Sequence, residues 1–441
     1  SKVTLLKGSL QFSDALKHYT NQLKMNYMRF SSLSFQGEIL ISKEEIKELF
    51  YRIESKGTLA SKLGLLQTQL LQKIEQLKRT QRTSKWVEDT MLSMSDSELR
   101  QYESESKNEQ KAEETLIDSI MDAAYSPIIK RIKKLTFIRY QHQYIHFLKA
   151  VPKLLSLKEF SIDEEMWSEH IQQVVTNMAH KKMVLEDLDA FYSLFQLMHG
   201  PISSTKFKYI CLDEVQDFSP FQLQMLRDFY PTANFVMSGD LNQNILMKII
   251  SFNDLDTIFT GNSFQRYQLL TSYRSTNEIT QFANRFLEEK AAAESPFRQG
   301  KKPELILTAN NEHYWDYLKQ IVSDSQINGL RTAFISKNYA EAERFHKELT
   351  TAGIDSSLVL KDTDSTHHPV IVIPVQLAKG LEFDVAFALF QYSDHSSATN
   401  LSTAYTICSR AMHELYVMAP DLQDPLVNRL ESADYHLAEL N

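Results

Sequence analysis

The chain has 441 residues, enough for two or three domains with sizeable cores. Its 43% apolar and 24% charged residues are ordinary for a soluble protein, and no apolar run nears the roughly 18 to 20 residues of a membrane span. The net charge of −8 argues against a simple nucleic-acid coat protein but leaves room for a local basic track. The N-terminus lacks a secretory pattern. The two cysteines, Cys211 and Cys408, lie far apart in sequence, so a disulfide framework is not expected and a cytoplasmic location is.

With only 11 glycines and 11 prolines, the chain favours long helices, and roughly the first 200 residues read as mostly helical. Val3 to Leu6, apolar except for Thr4, is read as one strand. Ser42-Lys43-Glu44-Glu45 is a capping-box pattern ahead of Ile46, Leu49, Phe50 and Ile53, a helical apolar face. Leu63, Leu66, Leu70, Ile74 and Leu77 continue at helical spacing. Glu88 to Asp118 is acidic, Ser-rich and poor in apolar residues, an exposed helix or an arm tip. Lys130 to Lys149 carries Lys130, Arg131, Lys133, Lys134, Arg139 and Lys149 with no acid, interleaved with Phe137, Tyr140, Tyr144 and Phe147. It reads as an amphipathic helix with a solvated face or as a surface for nucleic acid or a partner. His142 and His146 stand at i, i+4, but Gln143 occupies the place where a metalloprotease helix needs Glu, so no metal site is expected.

From about Lys206 the texture changes. Phe207 to Leu212 is a short apolar run ending in Asp213-Glu214, as a buried parallel strand would. Ser219-Pro220 opens a helix to Phe229, and Asn234 to Met237 reads as the next strand. Further strands are predicted at Arg331 to Ile335, Ser357 to Leu360, Val370 to Val375 and Val385 to Leu389. A helix is predicted from Asn338 to a stop at Gly353. Strand, helix, strand in this order means parallel sheets with crossover helices, in two α/β regions on either side of about residue 265.

Five strings at strand ends or helix starts carry chemistry. Asp213-Glu214-Val215-Gln216-Asp217 offers one carboxylate for the Mg²⁺ of a nucleoside triphosphate and a second to orient or deprotonate water. In Gly239-Asp240-Leu241-Asn242-Gln243 a side-chain amide can reach a γ-phosphate. Leu270-Thr271-Ser272-Tyr273-Arg274-Ser275 brings an arginine suited to forked contacts with phosphate oxygens. Ala378-Lys379-Gly380-Leu381-Glu382-Phe383-Asp384 follows, then Ala404-Tyr405-Thr406-Ile407-Cys408-Ser409-Arg410-Ala411 and Met412-His413-Glu414-Leu415. Each alone is compatible with an ordinary cap or turn; the ordered set is not.

In these strings the chain resembles the UvrD/Rep/PcrA-type superfamily 1 helicases, over motifs II to VI from about residue 206 onward. The resemblance implies two RecA-like P-loop NTPase-type α/β domains, the first incomplete, plus a large mostly helical insertion. Residues 1–12 and 196–265 would belong to the first motor domain, 13–195 to the insertion and 266–441 to the second motor domain. It further implies an ATP-dependent hydrolase in which Asp213 binds Mg²⁺, Glu214 is the catalytic base and Gln243 senses the γ-phosphate. Arg274 and Arg410 would neutralise transition-state charge, Glu382 would face the nucleotide sugar, and Lys379-Gly380 would lie in a coupling loop.

The stretch between Arg274 and Lys379 holds one α/β domain but not the large insertion UvrD-type enzymes place there; the long helical segment precedes motif II instead. That layout, with the wording of the last two strings, is similar to the HelD (helicase IV-like) branch. It implies RNA polymerase as a partner beside nucleic acid (DNA), a monomer and no membrane. The chain departs from the pattern in lacking any Gly-x-x-x-x-Gly-Lys-Ser/Thr, so the backbone cradle and lysine for the β- and γ-phosphates are missing. A start midway through the first motor domain is the expected cause, a degenerate motor the alternative. Gln376 and Pro374 stand where the family usually has His and Thr, and Ser409 replaces a common Thr. Two functions follow: a helicase fragment inactive alone, or a non-hydrolytic helicase-like protein binding RNA polymerase through its helical arm.

Overall fold

A computed structural model describes residues 1–95, 109–200, 207–243, 251–259, 265–269, 271–287, 297–309, 313–392 and 399–440. Two compact units emerge: residues 1–210 with 219–234, and residues 211–218 with 235–441.

The first unit is helical. Helices α1 (Lys2–Lys7) and α2 (Leu10–Gln22) lead to a hairpin of β1 (Leu33–Phe35) and β2 (Glu38–Ile41). Next come α3 (Lys43–Arg52), α4 (Leu59–Gln81), α5 (Lys85–Leu92) and α6 (Glu109–Lys133). Helices α7 (Tyr140–Leu154), α8 (Glu164–Ala179) and α9 (Leu185–His199) complete the series. Ser42 caps α3 as its sequence predicts, its hydroxyl accepting from the Glu45 amide, and Ile46 and Phe50 are buried. On α4 the predicted face holds at Leu63, Leu66, Leu70 and Ile74. Phe12, Tyr19, Tyr144, Phe147 and Trp167 fill the same core, with Phe12 edge-on to Phe147 at 5.3 Å. Within it Lys7 pairs with Asp187, whose carboxylate also accepts from the Tyr144 hydroxyl at 2.7 Å.

Two expectations for this region need correction. Val3–Leu6 lies inside helix α1, not a strand; the Ser1 hydroxyl accepts from the Thr4 amide and starts the turn. The basic stretch at 130–149 is not one helix. It breaks after Lys133, where Leu135 takes φ +53, and restarts at Tyr140. Most of the acidic segment's centre, 96–108, lies outside the described residues.

Strands β3 (Tyr209–Leu212) and β4 (Asn234–Met237) pair with each other. Between them runs α10 (Pro220–Phe229), opened by a full capping box between Ser219 and Gln222. Helices α11 (Phe252–Ile258) and α12 (Asn277–Asn284) follow.

The second unit is built on a seven-stranded sheet with only parallel pairings. Its strands are β5 (Glu304–Leu307), β6 (Thr332–Ser336), β7 (Ser357–Leu358), β8 (Val370–Pro374), β9 (Phe383–Leu389), β10 (Ala411–Ala419) and β11 (His436–Leu437). The spatial order is β11-β5-β10-β9-β6-β8-β7. Helices α13 (Tyr314–Ile327), α14 (Tyr339–Thr351), α15 (Val375–Ala378) and α16 (Thr399–Cys408) connect them. Alternate side chains feed opposite faces, as the pleat requires. Ala333, Ile335, Ile373, Ala388 and Val417 pack with Phe282 and Ile407. Phe334, Val372, Phe387 and Met418 pack with Leu318, Phe345 and Leu349 on the other side. Both faces are therefore covered, which explains the unbroken apolar runs.

The sequence predicted four of these seven strands. It missed β5, β10 and β11. The acid string and the arginine of the last string lie on separate sheets, β3–β4 and the seven-stranded one. Among the described residues no helix is long and apolar enough to cross a membrane.

Candidate functional site

Asp213 and Glu214 stand immediately beyond β3. The chain turns there because Glu214 adopts φ +51, a left-handed conformation that costs a non-glycine residue about 1–3 kcal/mol. Local bonds hold it. The Val215 amide donates to the Ser238 carbonyl at 2.9 Å, and Gln216 donates to the Glu214 carboxylate. Gln216 is buried, and its Oε1 accepts from the Asp240 amide at 3.1 Å, tying the loop after β3 to the loop after β4. Gly239 is needed for this approach, since a Cβ there would collide with Gln216 Oε1 and crowd the Val215 nitrogen.

The Asp213 carboxylate is open to solvent. Its Oδ1 accepts from the Ser238 hydroxyl at 2.8 Å and the Glu214 amide at 2.9 Å, and these bonds hold its pKa below the usual carboxylate value. No partner for Oδ2 exists among the described residues. An exposed, ionised carboxylate with a free oxygen suits a hard divalent cation.

Asp240 organises the second loop. Its carboxylate accepts from the Asn242 amide at 2.9 Å, from Gln243 Nε2 at 3.1 Å and from the Tyr405 hydroxyl at 3.3 Å. Burial, with Asp240 beside it, pushes the Tyr405 hydroxyl well above its ordinary pKa, so it stays a donor. Gln243 Oε1 accepts from Arg410 at 2.9 Å. Arg410 is only 1% exposed and also donates to the Thr406 carbonyl at 3.2 Å and the Ser409 hydroxyl at 3.0 Å. Burial first, and the charge of Arg274 second, push its pKa down to about 10. Arg410 sits in the tight turn from α16 into β10, not at a strand end or helix start.

Lys379, after α15, is nearly buried. It reaches Asp217 at 2.5 Å and Glu214 at 3.8 Å. Gly380 follows with φ +79, and the Leu381 amide closes the turn on the Ala378 carbonyl at 3.0 Å. Arg274 precedes α12 and pairs with Glu382 at 2.5 Å. The Ser275 hydroxyl donates to the Ala411 carbonyl at 2.6 Å, which links this segment to the start of β10. Leu270 lies outside the described residues.

All five strings thus meet within the second unit. Glu214, next to Asp213, is joined to Gln243 through Gln216 and Asp240; Gln243 meets Arg410 directly, and Arg410 donates to the carbonyl of Leu381, the neighbour of Glu382, which pairs with Arg274. Sequence reasoning assigned no role to Gln216, Asp217, Ser238, Asp240 or Tyr405; four of these lie inside the quoted strings and Ser238 directly precedes one. Gln376 stays outside: its Nε2 donates to the Lys337 carbonyl at 3.0 Å and its Oε1 is buried with no hydrogen-bond partner among the described residues. Among the described residues no cluster of His, Cys, Asp and Glu has metal-binding geometry.

No family model matches the chain. A curated relative, F-box DNA helicase protein 1 of Schizosaccharomyces pombe, is 26% identical over 214 residues, which is 48% of this chain. The chain spans 21% of that relative's length. Among solved structures, the C-terminal domain of a possible DNA helicase from Lactobacillus plantarum is 35% identical. That match covers 38% of this chain and 99% of that domain, with a TM-score of 0.33. The Arterivirus nonstructural protein 10 helicase is 15% identical over 53% of this chain and 42% of its own, with a TM-score of 0.30. The curated relative that matches nearly half of the chain is described as a DNA helicase, and on that ground the chain is helicase-like.

Proposed function

We propose that the chain is part of a superfamily 1 ATP-dependent helicase or translocase of the HelD-like type, acting on DNA with ATP and Mg²⁺. The carrying observation is the series of contacts, through Gln216, Asp240 and Leu381, that links Asp213, Glu214, Gln243, Arg410, Glu382 and Arg274. Phosphoryl transfer is catalysed mainly by positioning and charge, so acids and arginines held on neighbouring loops are the parts it needs. Asp213, with its free oxygen and depressed pKa, fits as the Mg²⁺ ligand. Glu214 fits as the proton acceptor for water. Gln243, Arg274 and Arg410 supply donors for phosphate oxygens, and Gly380 and Glu382 border the nucleotide. The two motor domains would comprise 1–12 with 196–265, and 266–441, with the helical insertion at 13–195 reaching RNA polymerase. The protein would be a cytoplasmic monomer.

The 441 residues contain no Gly-x-x-x-x-Gly-Lys-Ser/Thr, and most ground-state triphosphate binding comes from such a loop. The chain as it stands should therefore hydrolyse no ATP above background, with or without DNA. Steady-state hydrolysis that Glu214→Gln abolishes would overturn this and mean that another phosphate cradle exists.

One feature favours the second reading, a non-hydrolytic protein that binds RNA polymerase through its helical arm. Lys379 already neutralises Asp217 and approaches Glu214, so the acidic loop is compensated from within the chain. RNA polymerase retained by the chain, with no change on adding ATP and Mg²⁺, would support that reading over the first.

A further inference from the structure

The basic, aromatic stretch at 130–149 is not used by the site above. Its break at Leu135 turns Arg139 back against Arg29. The Arg139 amide donates to the Arg29 carbonyl at 2.9 Å, and Phe30 and Ile138 form an antiparallel bridge beside it. The Arg29 amide is held in turn by Gln143 Oε1 at 3.0 Å. Two guanidinium groups thus start from a fixed backbone.

They open onto a cavity of about 510 Å³ in the first unit. Five cationic residues line it: Arg29, Lys43, Lys47, Arg139 and Lys149. Lys43 and Lys47 come from successive turns of α3. His142, His146 and Lys149 come from one face of α7, at the spacing that aligns side chains along a helix. The single acid in the lining, Glu44, lies 3.7 Å from Lys43. Arg29, Lys47 and Lys149 have no ion-pair partner among the described residues. In a chain of net charge −8, five cations facing one acid are an uncompensated concentration of positive charge. The cavity size is that of a small-molecule site.

We propose that this cavity binds a run of two or three phosphate groups, carried either by a single-stranded nucleic acid or by a free polyphosphate. Arginine forks and mobile lysines are the usual donors to phosphate oxygens. The two histidines fit the same role. Burial and the neighbouring cations Arg29, Arg139 and Lys149 hold them below their ordinary pKa, and an anion between them would draw protons back onto both rings.

The test uses the full chain in EDTA, so that the acidic loop holds no metal. Binding of a fluorescent dT12 oligonucleotide is followed by anisotropy, and of inorganic tripolyphosphate by calorimetry. A glutamate dodecapeptide serves as the control. Lys47→Glu with Lys149→Glu, both solvent-exposed positions, should weaken phosphate binding by roughly tenfold or more. For dT12 it should flatten the salt dependence by about 0.7 for each phosphate no longer neutralised. Glu44→Gln should tighten binding, an effect that misfolding cannot mimic. Preference for dT12 identifies a nucleic-acid backbone as the source, and preference for tripolyphosphate a free polyphosphate. The proposal is overturned if neither binds, if charge reversal leaves binding unchanged, or if the glutamate peptide competes equally.

Discussion

Replacing Arg410 by methionine separates the energetic cost of this side chain from its contacts. A fall in pKa from 12.5 to about 10 corresponds to roughly 3 kcal/mol against the charged form in the folded chain. The sign follows from arginine being charged below its pKa. At neutral pH the whole penalty is present, and it is relieved only as the pH rises through about 10. Methionine removes the charge while keeping much of the volume. It leaves Gln243 Oε1 without its donor, a loss of about 1–3 kcal/mol that nearby water reduces. Thr406 keeps a donor in the Ser409 hydroxyl. Arg410→Met should therefore range from neutral to about 2 kcal/mol more stable, from the balance of burial and hydrogen bonding. Arg410→Ala gains the same relief but opens a cavity, and should be about 2–5 kcal/mol less stable than the methionine variant. Hydrogen exchange of the slowest amides in β6, β9 and β10 reads the stability of this unit directly. If methionine destabilises as much as alanine, the hydrogen bonds of Arg410 outweigh its burial cost and the reasoning fails.

Three further outcomes are expected. Ser238→Ala removes the largest influence on Asp213, so its carboxyl pKa should rise toward the ordinary value; ¹³C-detected titration of the side chain would show this, and an unmoved pKa would reassign the cause. Gly239→Ala forces Gln216 out of its buried position, at a cost of about 1–3 kcal/mol for its unsatisfied amide, visible as faster exchange at the Asp240 and Val215 amides. Lys7→Ala leaves Asp187 as a buried unpaired carboxylate and should cost about 3–5 kcal/mol in the first unit, whereas Lys7→Met with Asp187→Leu should recover most of that in the same denaturation experiment.

Helix and strand positions were legible where local chemistry decides them. Strand β4 matches its prediction at both ends, and α10 and α14 begin at the residues whose side chains cap them. Val3 to Leu6 misled because a four-residue run with three apolar side chains fits a strand or one helical turn equally well. Strand β10 is not evident in the sequence because the adjacent polar pair His413 and Glu414 interrupts its first half. Only pairing with β5 and β9, from distant parts of the chain, makes it a strand. The site shows the same division. The strings that supply its side chains can be read in sequence, but the ties of Lys379 to Asp217 and of Arg410 to Gln243 join residues more than 160 positions apart. No local pattern encodes them.

The place of β10 in the sheet has a consequence during synthesis. This strand lies between β5 and β9, yet it follows both in the chain. As a nascent chain emerges, β5 has no inner neighbour to pair with, and β9 exposes one long apolar edge. At about 5–20 residues per second, the wait from Leu307 to Ala411 is on the order of ten seconds. Unpaired parallel strands of this kind invite intermolecular pairing. The unit should therefore be most prone to aggregation, and most dependent on chaperones, just before the segment Ala411–Ala419 is released from the ribosome.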